Sequence, residues 1–285
     1  MKIKLLRSIA LLSGLIPLWV QAAGVDLSIK VAPNITAQVT GVGGAYVSVR
    51  FSPGGTTQRL EVEASDEEGH YNTEVADFNF DGDQDLAFKA TLGEVNETYQ
   101  VFNFDPHSGR FVELRFATTA PVNCDGLSNL KPDAKSRILY SSCRGGPMWF
   151  TDAYKFDASG SMYVYQSTRL INSDAVQKMF APESGVEDVP GWLLLTYDKR
   201  GKIIGRSMMA HAYETHESQG RVSVEKLPLY DRPAHDQTRR YLVRGDLFDA
   251  QDISDNEEWL KIAYRNAAKG KVEGWINVSE ATTAR

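Results

Sequence analysis

The sequence predicts an all-β protein, an antiparallel domain of propeller-like or sandwich type followed by a small barrel. Three observations carry that reading: short alternating segments at the start of the folded chain, a hairpin phrase that recurs three times, and a restart of the strand pattern near the C-terminus.

The alternating segments are Val25 to Val31, Ile35 to Val39, Ala45 to Phe51 and Arg59 to Glu63. Polar and apolar residues change places at every step, which is the period of a strand with one buried face. Pro33-Asn34, Gly41 to Gly44 and Pro53-Gly54-Gly55 punctuate them as turns. The recurring phrases are TYQVFNFDPHSGRFVEL at 98–114, DAYKFDASGSMYVYQ at 152–166 and WLLLTYDKRGKIIGR at 192–206. Each gives an apolar strand, an Asp with a Gly three or four residues later, and a second strand, so the three read as hairpins of one design in a meander or propeller-like sheet. Only 173–185 reads as a short helix.

From Val222 the chain restarts with VSVEKLPLY, RYLVRGDLFDAQ, EEWLKIAYRN and VEGWINV. These short strands describe a small barrel over 222–280, with Trp259 and Trp275 expected to fill a core too small to be stabilised by aliphatic residues alone. The boundary falls at 216–222, and the first domain spans 23–217.

The N-terminus, MKIKLLRSIALLSGLIPLWVQAAG, has the three parts of an export signal: positive Lys2, Lys4 and Arg7, an apolar run at 9–19, and small residues before a cleavage point near Ala22 or Ala23. The apolar run is short for a membrane span and Pro17 interrupts it. Residues 1–22 therefore read as a cleaved signal peptide, the alternative being a buried helix. No cysteine stands at the junction to take a lipid, so a soluble periplasmic protein is expected. The chain carries 31 Lys and Arg against 37 Asp and Glu, a formal net charge of −6, and loss of the leader makes it more acidic. That balance argues against nucleic acid as a partner. The two cysteines, Cys124 and Cys143, form neither a CxxC nor a metal-ligand spacing, so in an oxidising compartment a disulfide is expected over two free thiols.

Residues 77–88 read DFNFDGDQDLAF. The alternation fits either a strand with a polar face or a loop around a cation. Counting from Asp77, oxygen-bearing side chains fall at positions 1, 3, 5, 7 and 9 (Asp77, Asn79, Asp81, Asp83, Asp85), with Gly82 at position 6. This is the spacing of a calcium loop, in which alternate oxygens meet one hard cation and a glycine allows the sharp turn. Position 7 commonly gives its backbone carbonyl, which leaves the Asp83 side chain spare. Position 12 is Phe88 where an EF-hand has a bidentate Glu, so a structural Ca2+ clip between strands is expected rather than a helix-loop-helix sensor. Asp and Asn are also depleted in strands, and carboxylates this close repel without a cation.

Little else points to chemistry. His211 and His216 in HAYETH lack the spacing of a zinc helix, and there is no HExxH, GxSxG or phosphate loop. An enzyme is not expected. Among the aromatics, Trp149, Phe150 and Tyr154 read as core. Tyr163, Tyr165 and Arg169 are candidates for a partner-binding surface, being residue types that dominate protein interfaces.

Two resemblances follow. Residues 222–280, through Leu229-Tyr230, Tyr241-Leu242 to Gly245-Asp246, WLKI at 259–262 and GWI at 274–276, resemble a bacterial SH3-like domain. This resemblance implies binding to cell-wall peptide or to envelope proteins. Residues 60–210, through DFNFDGDQDLAF and YQVFNFDPHSGRF, resemble the calcium-binding periplasmic immunity proteins that counter lysozyme-like effectors of bacterial-killing type IV secretion systems. Those are similar in architecture to periplasmic lysozyme inhibitors, and integrin-like FG-GAP repeats share the calcium loop. The resemblance implies a partner that is a peptidoglycan hydrolase, inhibited by a loop that plugs its cleft. The alternative it leaves open is a non-inhibitory adaptor that binds peptidoglycan or another envelope protein through the SH3-like part.

Overall fold

A computed structural model of the chain describes residues 26–93, 95–115, 120–180, 191–209, 219–234, 238–266, 268 and 270–282. The expected leader at 1–22 lies outside them, as do His211, His216 and His235. The fold is all-β with antiparallel pairing throughout, and holds two short helices among the described residues.

The first sheet is a four-stranded meander of β1 (Leu27–Ala32), β2 (Ile35–Thr40), β3 (Tyr46–Ser52) and β4 (Thr57–Glu61). The second orders β5 (Asn72–Ala76), β6 (Asp85–Leu92), β7 (Asn96–Asp105) and β8 (Arg110–Glu113), with β9 (Leu127–Ser128) also paired to β7. The third is six-stranded in chain order: β10 (Lys131–Asp133), β11 (Ile138–Gly145), β12 (Met148–Phe156), β13 (Met162–Leu170), β14 (Trp192–Tyr197) and β15 (Ile203–Met209). Helix α1 (Asp174–Phe180) lies between β13 and β14, and Ser173 caps it, its Oγ accepting the Val176 N–H at 3.3 Å.

The second sheet is the middle layer. Leu86, Phe88, Phe102, Phe104 and Phe111 pack against Ile29, Val39, Val49 and Phe51 of the first sheet. Ala87, Tyr99 and Val101, alternate with those residues, face Leu139, Tyr154, Val164 and Tyr197 of the third. A strand buried on both faces needs an apolar residue at nearly every position. That is why β6 opens as a run, Asp85 to Phe88, without an exposed residue.

The three hairpin phrases fold as the repeated spelling predicts, and one device closes them. At each turn an Asp holds the backbone that leaves it: Asp105 accepts the His107 N–H at 2.9 Å, Asp157 the Ser159 N–H at 2.8 Å, and Asp198 the Arg200 and Lys202 N–H groups at 2.9 Å each. The glycine then closes the turn by donating to the carbonyl of the same Asp. Hydrogen bonding holds all three carboxyls below their usual range: a Ser108 side-chain bond is the largest cause for Asp105, a Ser159 side-chain bond for Asp157 and the Lys202 N–H for Asp198.

The C-terminal part orders β16 (Gln219–Arg221), β19 (Leu247–Ile253), β20 (Trp259–Asn266) and β21 (Gly270–Asn277) in one sheet. A separate ladder pairs β17 (Lys226–Pro228) with β18 (Tyr241–Val243), and helix α2 (Val278–Thr282) follows. Trp259 and Trp275 do not fill its core. The β20–β21 register puts Trp259 and Lys261 with Trp275 and Asn277 on the outward face, and Leu260, Ile262 and Ile276 inward, each 0% exposed. The GWI phrase still has a packing role, because a Cβ on Gly274 would stand 2.7 Å from the Leu229 side chain and 2.8 Å from the Tyr230 carbonyl oxygen.

This core does not stop at 222. Ile171, Val176, Met179 and Phe180 of α1 and its approach, with Leu193 and Met208 of the third sheet, join Leu227, Leu242, Phe248 and Ile262 in one cluster. Phe180 meets Phe248 edge-on at 5.6 Å. Two arginines tighten the seam: Arg206 donates to Asp252 at 2.8 Å and to the Ile253 carbonyl at 2.7 Å, and Arg169 to Glu257 at 3.4 Å. Phe180→Ala is therefore expected to remove about 3–5 kcal/mol of stability in a single urea transition monitored by circular dichroism. Two separated transitions, one unmoved by the substitution, would show that the parts melt independently.

Candidate functional site

The loop from Asp77 to Asp85 joins β5 to β6, and its own side chains wind it. Asp77 accepts the N–H of Asp81 at 3.1 Å on Oδ1 and that of Gly82 at 3.0 Å on Oδ2. Asn79 Oδ1 accepts the Asp81 N–H at 3.0 Å, and Asp81 accepts the Asp83 N–H at 2.9 Å and the Asn79 amide at 2.8 Å. Phe80 and Gly82 both take left-handed backbone, with φ of 62° and 98°. The conformation costs glycine little, whereas for Phe80 it costs about 1–3 kcal/mol. Burial of the ring offsets that cost: Phe80 is 8% exposed, edge-on to Phe156 at 6.3 Å, and Phe78 beside it is fully buried. In DFNFDGD the aromatics face the third sheet and the oxygens turn away from it.

The loop touches all three sheets. Gln84 N–H donates to the Val31 carbonyl at 2.8 Å, Phe80 reaches the third sheet, and Asp85 spans the second. Asp85 is 0% exposed, and its two oxygens accept the N–H of Phe104 at 2.9 Å and of Phe78 at 2.8 Å. Burial pushes its pKa up to about 7, against those two hydrogen bonds, and Asp81 and Asp77 nearby push it the same way. Asp83 is raised by its own burial and then by Asp81 and Asp77.

Asp77, Asn79, Asp81, Asp83 and Asp85 thus share one short loop and offer only hard oxygen donors, the chemistry that suits calcium and not zinc. As placed, Asp77, Asn79, Asp81 and Asp85 each accept at least one N–H of the surrounding backbone, and among the described residues no group of three or more His, Cys, Asp or Glu side chains is arranged to hold a metal ion. The donor set fits the ion in kind, and the like-charge crowding at Asp83 is what a bound cation would relieve.

A second constructed feature is the disulfide. Cys124 and Cys143 are bonded with Cα atoms 5.6 Å apart, which ties the segment ahead of β9 to β11. Buried Asp152 on β12 fixes the same segment, accepting the N–H of Asn123 at 2.8 Å and of Cys124 at 2.9 Å.

Of the three candidate partner-binding residues, the structure groups two. Tyr163 and Tyr165 are half-buried neighbours on β13; Lys155, opposite Tyr163 in the ladder, sets its Nζ 3.6 Å from the Tyr165 ring centroid. Burial raises Tyr163, with a contribution from Tyr165, and raises Tyr140 close by. Arg169 is directed elsewhere, into the seam with Glu257 and the Asp255 carbonyl. Tyr154 is core as expected, at 1% exposure, whereas Trp149 is 48% exposed because it pairs with Arg144 on the outward face at the far end of β12. Sequence reading passed over Lys155 and Tyr140; the signal for Lys155 was its place in the strand YKF, where an outward residue flanked by inward aromatics must meet its cross-strand neighbour. No helix among the described residues is long and apolar enough to cross a membrane.

Compared with protein-family models, curated proteins and solved structures, the chain matches none of them.

Asp85 gives the loop a testable pH dependence. Its folded pKa lies above the unfolded value of 3.8, so between roughly pH 4 and 7 the folded metal-free chain keeps a proton that the unfolded chain has released. The stabilisation is full below the unfolded pKa and is lost as pH rises through about 7. Metal-free protein is expected to melt higher at pH 5.5 than at pH 8, and Asp85→Asn, in which an amide N–H must face a backbone N–H, to melt lower with a flatter profile. A variant as pH-sensitive as the parent would count against Asp85 as the source.

Proposed function

We propose that the chain is a calcium-stabilised binding protein of the bacterial periplasm that blocks a peptidoglycan hydrolase of lysozyme type, as an immunity protein does, by occluding its active site. The observation that carries this reading is the tyrosine pair. Tyr163 and Tyr165 stand side by side on a sheet stapled by the disulfide and by Asp152, and no described residue hydrogen-bonds their hydroxyls. Rigid aromatic residues with an unspent polar tip lose little entropy on entering a cleft. The export signal in the sequence and the disulfide both suit an oxidising compartment.

Of the five oxygen residues the spacing marks, Asp77, Asn79, Asp81 and Asp83 would hold the calcium ion; Asp85, enclosed with its two oxygens on the Phe78 and Phe104 N–H groups, would fix the loop to the strands instead. The ion would supply charge neutralisation and a rigid junction between the sheets, and no reaction. The test is lysozyme-type turnover of peptidoglycan with the protein present, with and without EDTA. Inhibition is expected with calcium, weakened by EDTA and by Tyr163→Ser with Tyr165→Ser; isothermal titration with calcium should show one site that Asp77→Ala with Asp81→Ala abolishes. Absence of any inhibition across a panel of wall hydrolases would sink the inhibitory reading, and absence of calcium binding the metal reading.

A second reading, an envelope or peptidoglycan-binding adaptor without inhibitory activity, is favoured by a patch on the SH3-like part. Tyr241, Val243 and Leu247 are 48%, 45% and 43% exposed, and Lys226 lies 4.2 Å over the Tyr241 ring. If this patch is the working surface, Tyr241→Ser with Val243→Ser in the full chain should abolish co-sedimentation with purified peptidoglycan. Failure of the parent protein itself to sediment with peptidoglycan would count against the adaptor, and a variant retained as fully as the parent would exclude this patch as its surface.

A further inference from the structure

The first sheet buries one face on the second sheet and turns the other to solvent, with no described residue packed over it. Strict alternation makes that outer face entirely polar apart from Tyr46. Its hydrogen-bonding positions are hydroxyls and amides such as Ser28, Gln38, Ser48 and Thr57. Its charges are Lys30, Arg50 and Arg59 against one carboxylate in the four strands, Glu61, in a chain whose formal net charge is −6.

The three cations are not neutralised. Among the described residues no carboxylate lies within ion-pair distance of Lys30, Arg50 or Arg59, although acidic residues outnumber basic ones along the chain. Register places Arg50 opposite Thr57 and Ser48 opposite Arg59, so the two arginines are diagonal neighbours, about 7–8 Å apart at their backbones. Like charges at that spacing repel, and the one carboxylate on the face, Glu61, makes no ion pair with either. Arg59 is also pre-set: its guanidinium lies 3.6 Å from the Tyr46 ring centroid, and the Tyr46 hydroxyl donates to Glu61 at 3.4 Å. Glu61 is thereby directed to the tyrosine and leaves Arg59 open on its outer side.

We propose that this face binds a carboxylate-bearing polysaccharide laid across the four strands, with Arg50, Arg59 and Lys30 reading its carboxylates and the hydroxyl and amide rows reading its sugar hydroxyls. A protein partner would need the buried apolar anchors that the face lacks. A nucleic acid would need a denser cationic track and base-stacking aromatics, whereas hydroxyl and amide rows between widely spaced cations suit sugar hydroxyls between widely spaced carboxylates. The inference rests on neither the calcium loop nor the tyrosine pair.

The test is affinity electrophoresis and calorimetry of the full chain with polygalacturonate as the carboxylated probe, dextran as the neutral one and single-stranded poly(dT) as a generic polyanion. Binding is expected to polygalacturonate alone, weakened by salt, and reduced about tenfold or more in Arg50→Ser with Arg59→Ser. Lys30→Ser should weaken it less, and Arg200→Ser, on an exposed turn of the third sheet, should leave it unchanged. Melting curves of the variants, expected to match the parent, separate lost binding from lost folding. No binding to polygalacturonate, undiminished binding in the double variant, or equal binding to dextran or poly(dT) would each overturn the proposal.

Discussion

One buried carboxylate holds the arrangement of the first three sheets. Asp85 opens the central strand of the middle sheet, where no water reaches it, and it spends its two oxygens on the N–H groups of Phe78 and Phe104. Phe78 belongs to the loop that reaches the third sheet, and Phe104 to the strand whose ring packs on the first. A fully buried carboxyl group, charged or protonated, is costly unless its oxygens find donors. The chain therefore has to deliver both donors at once, and doing so sets the register between loop and sheet. The aromatic and oxygen alternation around it follows from that anchor, with the rings of Phe78 and Phe80 filling the space toward the third sheet and the carboxylates of Asp77, Asp81 and Asp83 left nearer the surface.

The remainder of the architecture is a matter of which faces find covers. The second sheet is covered twice, and the centres of its two inner strands, Asp85 to Phe88 and Tyr99 to Phe102, are buried without a break; the first is covered once and alternates strictly. The third lies between these cases, because its inner face serves both the second sheet and, through Leu193 and Met208, the C-terminal core. α1 has one task in this scheme. It carries Val176, Met179 and Phe180 across the seam, so the C-terminal strands close on a surface made partly by the preceding sheet.

Local spelling accounts for what was legible in the sequence. Strands β1 to β4 could be read because a sheet covered on one side must alternate, and the three hairpins because their turns need an Asp to gather N–H groups and a glycine to close. The cysteine pair was legible from its isolation alone. What escaped depended on non-local register. Trp259 and Trp275 are large enough to fill a core, but the pairing of β20 with β21 gives that place to Leu260, Ile262 and Ile276. Arg169 looked like a free interface residue because Glu257, its partner across the seam, lies far along the chain. In the loop, the spacing marked all five oxygen residues alike. It could not reveal that Asp85 is fully enclosed and Asn79 nearly so while Asp77, Asp81 and Asp83 stay nearer the surface, since enclosure comes from Phe104 and the sheets on either side.

The seam has a further consequence. Arg169 and Arg206 grip residues 252–257 from two strands of the third sheet, and the apolar cluster continues beneath them. The C-terminal part is therefore held at a fixed bearing by its packing against the third sheet. Surfaces on the two parts behave like the jaws of a caliper set to one opening. Where two targets match that opening, engaging the first raises the effective concentration of the second with no entropy spent on ordering a linker. Where they do not match, there is no slack to stretch, and the molecule can hold only one at a time.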